Sequence, residues 1–130
     1  MRDHNAQRPV YLLDVIKGES RVADEENIRR VSARLHSEDI PHKVLEARNG
    51  LFPDHDVFLV PEEHKNQVFD IASDLGITSV IYLAFDRVAW LQVSDKAPGN
   101  PLGTLKPVRD DFDTFQTYFD NNRNQAYAIL

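Results

Sequence analysis

Pro53-Asp54 followed by Glu63-His64-Lys65 is the arrangement in this chain that most invites a chemical reading. Two acidic groups and a lysine in that order can hold Mg²⁺ and assist an attacking water in phosphodiester hydrolysis. The spacing argues against it. The apolar run Val57–Val60 between the two acids reads as a strand, and it places Asp54 and Glu63 at opposite ends. At ~3.3 Å per residue, the intervening steps separate them by roughly 25–30 Å, whereas Mg²⁺ needs ligands about 2.1 Å away. The net charge of −6 also denies the chain the cationic surface a nuclease uses on phosphates.

The remaining chemistry is sparse. Without cysteine, disulfides, zinc–thiolate sites and thiol nucleophiles are excluded. His4, His36, His42, His55 and His64 show no tight ligand spacing, and Asp54-His55-Asp56 would need partners from elsewhere to hold a metal. Its ordinary reading is surface loop residues. Scattered glycines make no phosphate-binding loop, and there is no G-x-S-x-G elbow. The sequence thus predicts no catalytic residue, no cofactor and no metal. Arg29, Arg30 and Arg34 would suit an anion, but Glu25 and Glu26 balance them, and a solvated helix face is the plainer reading. Asp14, inside the apolar VYLLDVI, reads as a carboxylate held by a partner or loop.

These residues must be positioned by a short list of elements. Val57–Phe85 reads as strand, helix, strand. VFLV and VIYLAF are unbroken apolar runs of the kind buried on both faces. Between them Pro61 suits a first helical position, with Glu62 and Glu63 in the first turn. Val68, Ile71, Ala72 and Leu75 line one face, and Gly76 stands where a left-handed cap belongs. Upstream, VYLLDVI (10–16) predicts a strand, and Asp24 is the expected N-cap of a helix that buries Ile28, Val31 and Leu35. Pro41 closes that helix, and the polar KVLEAR (43–48) suits an edge strand. Downstream, RVAWLQVS (87–94) follows VIYLAF closely enough for a hairpin.

The order predicts an α+β fold: a ferredoxin-like β-α-β-β-α-β core with an extra C-terminal strand and an amphipathic tail helix. One domain spans 1–130, with a loose N-terminus at 1–8, a Pro/Gly-rich loop at 95–108 and a tail at 109–130 packed on the sheet. Phe112, Phe115 and Phe119 are spaced as a helical stripe. Together with Trp90 they are large apolar groups that either close the second sheet face or form a docking surface. The first residues lack an apolar signal core and no run approaches a membrane span, so the expected location is cytoplasmic.

GESR (18–21), Asn27 and Arg30 in the first helix, FLVPE (58–62) and LGITSVIY (75–82) give the chain a resemblance to a domain family of unknown function from bacterial and phage genomes. The resemblance covers roughly residues 10–94. It implies that the turn around Glu19, Arg21 and Asn27 matters, with Arg30 beside it and Asp56 facing it. The alternative is that these residues only secure the start of the helix. The functional expectation is a small non-catalytic interaction protein, phage- or bacterium-encoded, that binds a host or partner protein. It makes no use of nucleic acid or membrane, and a homodimer is the other assembly to consider. The alternatives are a small-molecule or anion-binding regulatory domain using Arg21 and Arg29 or Arg30, and, third, a metal-dependent hydrolase.

Overall fold

A computed structural model describes residues 9–48, 53–84, 87–92, 98–109 and 117–130. The first strand, β1 (Val10–Leu13), lies between β3 (His55–Pro61) and β4 (Ser79–Ala84), antiparallel to both. Such a strand has neighbours on both edges and side chains buried on both faces, which is why VYLL reads as a continuous apolar run. The expected pairing of VYLLDVI with VFLV is present, with Leu12 opposite Leu59. The expected hairpin is present too: β5 (Arg87–Gln92) pairs with β4 along its length.

The ferredoxin-like class does not hold. The described residues form one mostly antiparallel, curled sheet of nine strands with two helices, in the order β6-β5-β4-β1-β3-β2-β8-β9-β7. KVLEA, β2 (Lys43–Ala47), is not an edge strand, because β8 (Thr117–Asp120) pairs with its other side. The stretch expected to be a loop contains β6 (Pro98–Gly103) and β7 (Leu105–Val108). Where a tail helix was expected, the described residues hold β8 and β9 (Gln125–Ile129), joined by a tight turn with Asn124 at φ 54°. Phe112 and Phe115 lie outside the described residues.

The two ends of the sheet are consecutive pieces of one stretch of chain. β6 pairs with β5 at one end and β7 with β9 at the other, and only Thr104 stands between them. The sheet therefore has to curl until its ends share that stretch. Gly103 makes the bend at φ 134°, and a Cβ there would collide with the Leu130 carbonyl. Thr104 and Leu130 exchange backbone bonds of 2.8 and 2.9 Å, which extend the β7–β9 ladder. Pro98, Pro101 and Pro107 fit here because each segment is laddered to a neighbour on one side, so a missing N–H can face away.

The curl gives the sheet two cores. On the outer face, Tyr11, Leu13, Val15, Phe58, Val60 and Val80 pack under α1 (Arg21–Ser37) and α2 (Lys65–Asp74). Val31 and Leu35 anchor α1, and Val68, Phe69, Ile71 and Ala72 anchor α2. Each large side chain so buried contributes about 1.5–3 kcal/mol of transfer free energy. Tyr11 sits edge-on to Phe69 at 5.7 Å between ring centres. On the inner face, Leu12, Leu45, Val57, Ile81, Leu83, Tyr118 and Ile129 form a second cluster, joined by Leu102 and Leu105 from the shared stretch. The second face is covered by the sheet's own curl.

Local chemistry sets the helix ends. Ser20 is the N-cap of α1 and its hydroxyl accepts from Ala23 N at 3.0 Å, so Asp24 is not the cap. Pro61 ends β3 instead of opening a helix, and a 3-10 turn (Glu62–His64) leads into α2. Gly76 follows the C-cap of α2 at φ 71°, as its position in the sequence predicts. No helix among the described residues is long and apolar enough to cross a membrane.

Candidate functional site

The chain leaves β1 through Asp14, turns at Lys17-Gly18-Glu19 with Gly18 at φ 78°, and enters α1. Asp24, one turn inside the helix, reaches back across that turn. Its carboxylate accepts from Lys17 N at 3.0 Å and Gly18 N at 3.3 Å. Asn27 donates to the Val15 carbonyl at 3.4 Å. The start of the helix is thus fastened at several points to the segment that follows β1, which gives the buried Asp24 carboxylate its partners.

Across from this turn β3 begins. His55 is buried on its inner face, with Nδ1 2.9 Å from the Pro53 carbonyl oxygen and Nε2 3.1 and 3.2 Å from the two Asp14 oxygens. Both partners are acceptors, so the ring satisfies both nitrogens only as the imidazolium. Burial opposes that charge most strongly. The bond to Asp14, the Asp14 charge, the Pro53 carbonyl and the more distant Asp24 together outweigh it and raise the His55 pKa. On the same inner face, burial and the Asp14 charge push the Tyr118 phenol above its usual range.

Between the two segments lies a pocket of about 350 Å³. Ile16, Ile28 and Pro53 give it apolar walls, and Gly18, Ser20, Arg21, Asp24, Glu25, Asp54, His55 and Asp56 line the rest. The volume is at the lower end for small-ligand sites and would take one long side chain or a small metabolite. Arg21 is drawn to Glu25 at 3.6 Å, with both side chains more than half exposed. The helix end adds about half a positive charge. Against Arg21 and that dipole stand Asp24, Glu25, Asp54 and Asp56, so the pocket is negative; the Asp14–His55 pair beside it neutralises itself.

The structure brings together two of the residues singled out from sequence, Arg21 and Asp56, which both line this pocket. Glu19 is exposed in the turn and does not line it. Asn27 fastens the start of the helix. Arg30 is exposed further along α1, 3.9 Å from Glu26, and does not line the pocket either. Of the apolar candidates, Phe119 is buried on β8 with the Arg48 guanidinium 4.1 Å above its ring, which removes it from any docking surface. Trp90 falls on β5 opposite Ile81, where only the backbone is described. Phe112 and Phe115 lie outside the described residues.

His55, Asp24, Asp54 and Glu25 were not among the expected site residues. His55 read as a surface loop residue and is a buried strand residue. Asp14 did give a signal, as the one charge in an apolar strand, and its partners are Ile16 N at 3.1 Å and His55. Asp54 and Glu63 flank β3 at its two ends, and no group of three metal-ligating side chains occurs among the described residues. No protein-family model matches the chain and no curated protein matches it significantly, so the short motifs GESR, FLVPE and LGITSVIY carry no argument beyond their own residues.

Proposed function

We propose that this protein is a non-catalytic binding domain that docks a partner protein by receiving one of its basic side chains in the pocket at the start of α1. The observation that carries this reading is the pocket's lining: apolar walls for an aliphatic stem, and four carboxylates against one guanidinium. Lys and Arg have that composition, an apolar stem with a charged head. Catalysis is disfavoured by His55. In an activated serine, one ring nitrogen faces the carboxylate and the other the hydroxyl. Here the second nitrogen is bound to the Pro53 carbonyl, and Ser20 Oγ is occupied in capping α1. The anion-binding alternative is disfavoured by the same count, since Arg21 faces four carboxylates in the pocket while Arg29 and Arg30 do not line it and lie 2.7 and 3.9 Å from Glu26.

Peptide display against the purified protein tests the proposal. Selected peptides should be enriched in Lys or Arg, and the double variant Asp54→Lys/Asp56→Lys should lose them while keeping its fold. Enrichment in acidic peptides, or peptides indifferent to the double variant, would contradict it.

A further inference from the structure

Away from the pocket, the last turn of α1 and the turn leading to β2 bring two histidines together. His36 Nδ1 lies 2.8 Å from the Ser32 carbonyl oxygen, and His42 Nδ1 lies 2.9 Å from the Ile40 carbonyl oxygen. A carbonyl oxygen only accepts, so Nδ1 carries the proton in each ring, and Nε2 keeps its lone pair when the ring is neutral. Metal-bound histidines commonly show this arrangement, with the second ring nitrogen held by a backbone carbonyl that fixes the tautomer.

The spacing of the rings fits a shared ion. Their centres are 5.1 Å apart and their planes are inclined at 86°. With Zn–N bonds of ~2.0–2.1 Å and each ring centre about 1.1 Å behind its nitrogen, two imidazoles on one tetrahedral ion have centres about 5.2 Å apart. The turn that sets this spacing is well tied. Asp39 adopts φ 58°, its N–H donates to the His36 carbonyl at 3.2 Å, and Ile40 N donates to Leu35 O at 2.9 Å. The Phe58 ring, 6.0 Å from His42, supports the second imidazole from the sheet side.

We propose that His36 and His42 form a two-histidine binding site for a divalent late transition ion such as Zn²⁺, Ni²⁺ or Cu²⁺. Imidazole nitrogen favours these ions over Mg²⁺ and Ca²⁺, which take oxygen ligands. No third His, Cys, Asp or Glu among the described residues completes a ligand set. Water fills the remaining positions, and the ion exchanges readily. The site is separate from the pocket and does not depend on the binding function proposed for it.

The test uses the full chain with Zn²⁺ in a calorimetric titration, and Ni²⁺ as a paramagnetic probe of the histidine ring signals. One Zn²⁺ should bind per chain, and Ni²⁺ should broaden the His36 and His42 signals before that of His64. His36→Asn and His42→Asn should each weaken Zn²⁺ binding at least about tenfold, because a second tethered ligand raises the effective concentration. His36 is exposed on the helix surface, so its variant should retain the fold. Zn²⁺ affinity unchanged in His36→Asn, or Ni²⁺ broadening that does not single out the two rings, would overturn the proposal and leave them as edge-to-face packing.

Discussion

Asp24 and Asp120 do the same local job in two places, and their surroundings set them apart. Asp24 accepts from Lys17 N and Gly18 N at the start of α1. Asp120 accepts from Asn122 N and Arg123 N, at 3.0 and 3.2 Å, in the turn between β8 and β9. Both carboxylates are largely withdrawn from water. Beyond Asp120, however, the space is filled: the Lys43 ammonium lies 2.5 Å from Oδ2. Burial pushes the Asp120 pKa up, but the bond from Lys43, the two turn N–H groups and the Lys43 charge outweigh it, and the net shift is downward. Beyond Asp24 lies an open pocket with Asp54 and Asp56 on its rim. A buried carboxylate that holds a turn is a structural device. Only where it borders open space and uncompensated charge does it also help define a binding site.

The contrast predicts effects of graded size. Asp120→Ala should be the most damaging, at about 2–4 kcal/mol, because it strands two turn N–H groups and a lysine beside a buried position. Chemical denaturation measures this, and a loss below about 0.5 kcal/mol would mean that Asp120 does not seal the turn. Ser20→Ala should cost less, about 1 kcal/mol, the usual value of a helix N-cap. It should leave the β8–β9 turn untouched by hydrogen exchange.

A smaller effect should come from pH. The His55 pKa is raised on folding, so its contribution to stability is complete below the ordinary value near 6.5 and fades as pH rises through the folded value. Stability should therefore fall on going from mildly acidic to mildly alkaline conditions. Asp14→Asn should flatten that slope, since it removes the charge and one of the two acceptor oxygens that favour the imidazolium. An unchanged slope in Asp14→Asn would show that the pair does not set the titration.

Much of the helix-covered half was legible from the sequence because its signals are local. The β1–β3 neighbours, the β4–β5 hairpin, the α1 stripe of Val31 and Leu35 and the Gly76 cap each follow from periodicity or one residue's backbone preference. The segment from Pro98 to the end was misread because its determinants are non-local. Pro98, Pro101 and Pro107 signal a loop unless the chain is known to serve the ends of a curled sheet. Phe119 sits at helical spacing from Phe112 and Phe115, yet Thr117–Asp120 is buried at every position and so lacks the alternation that announces a strand. The turn Asp120-Asn-Asn-Arg-Asn124 was the available clue to a hairpin there. At the candidate site, Arg21 and Asp56 could be suspected, but the His55–Asp14 pair spans 41 positions and only folding reveals it.

The most direct measurement of the central claim is a chemical-shift titration of the ¹⁵N-labelled protein with small probes: N-acetyl-arginine methylamide, its lysine counterpart and, as controls, the glutamate and norleucine analogues. The basic probes should shift the amides of Gly18, Ser20, Arg21 and Asp56, and those shifts should disappear in Asp54→Asn/Asp56→Asn. Equal shifts with the glutamate or norleucine probe, or basic-probe shifts confined to residues away from the start of α1, would contradict a pocket built for a basic side chain.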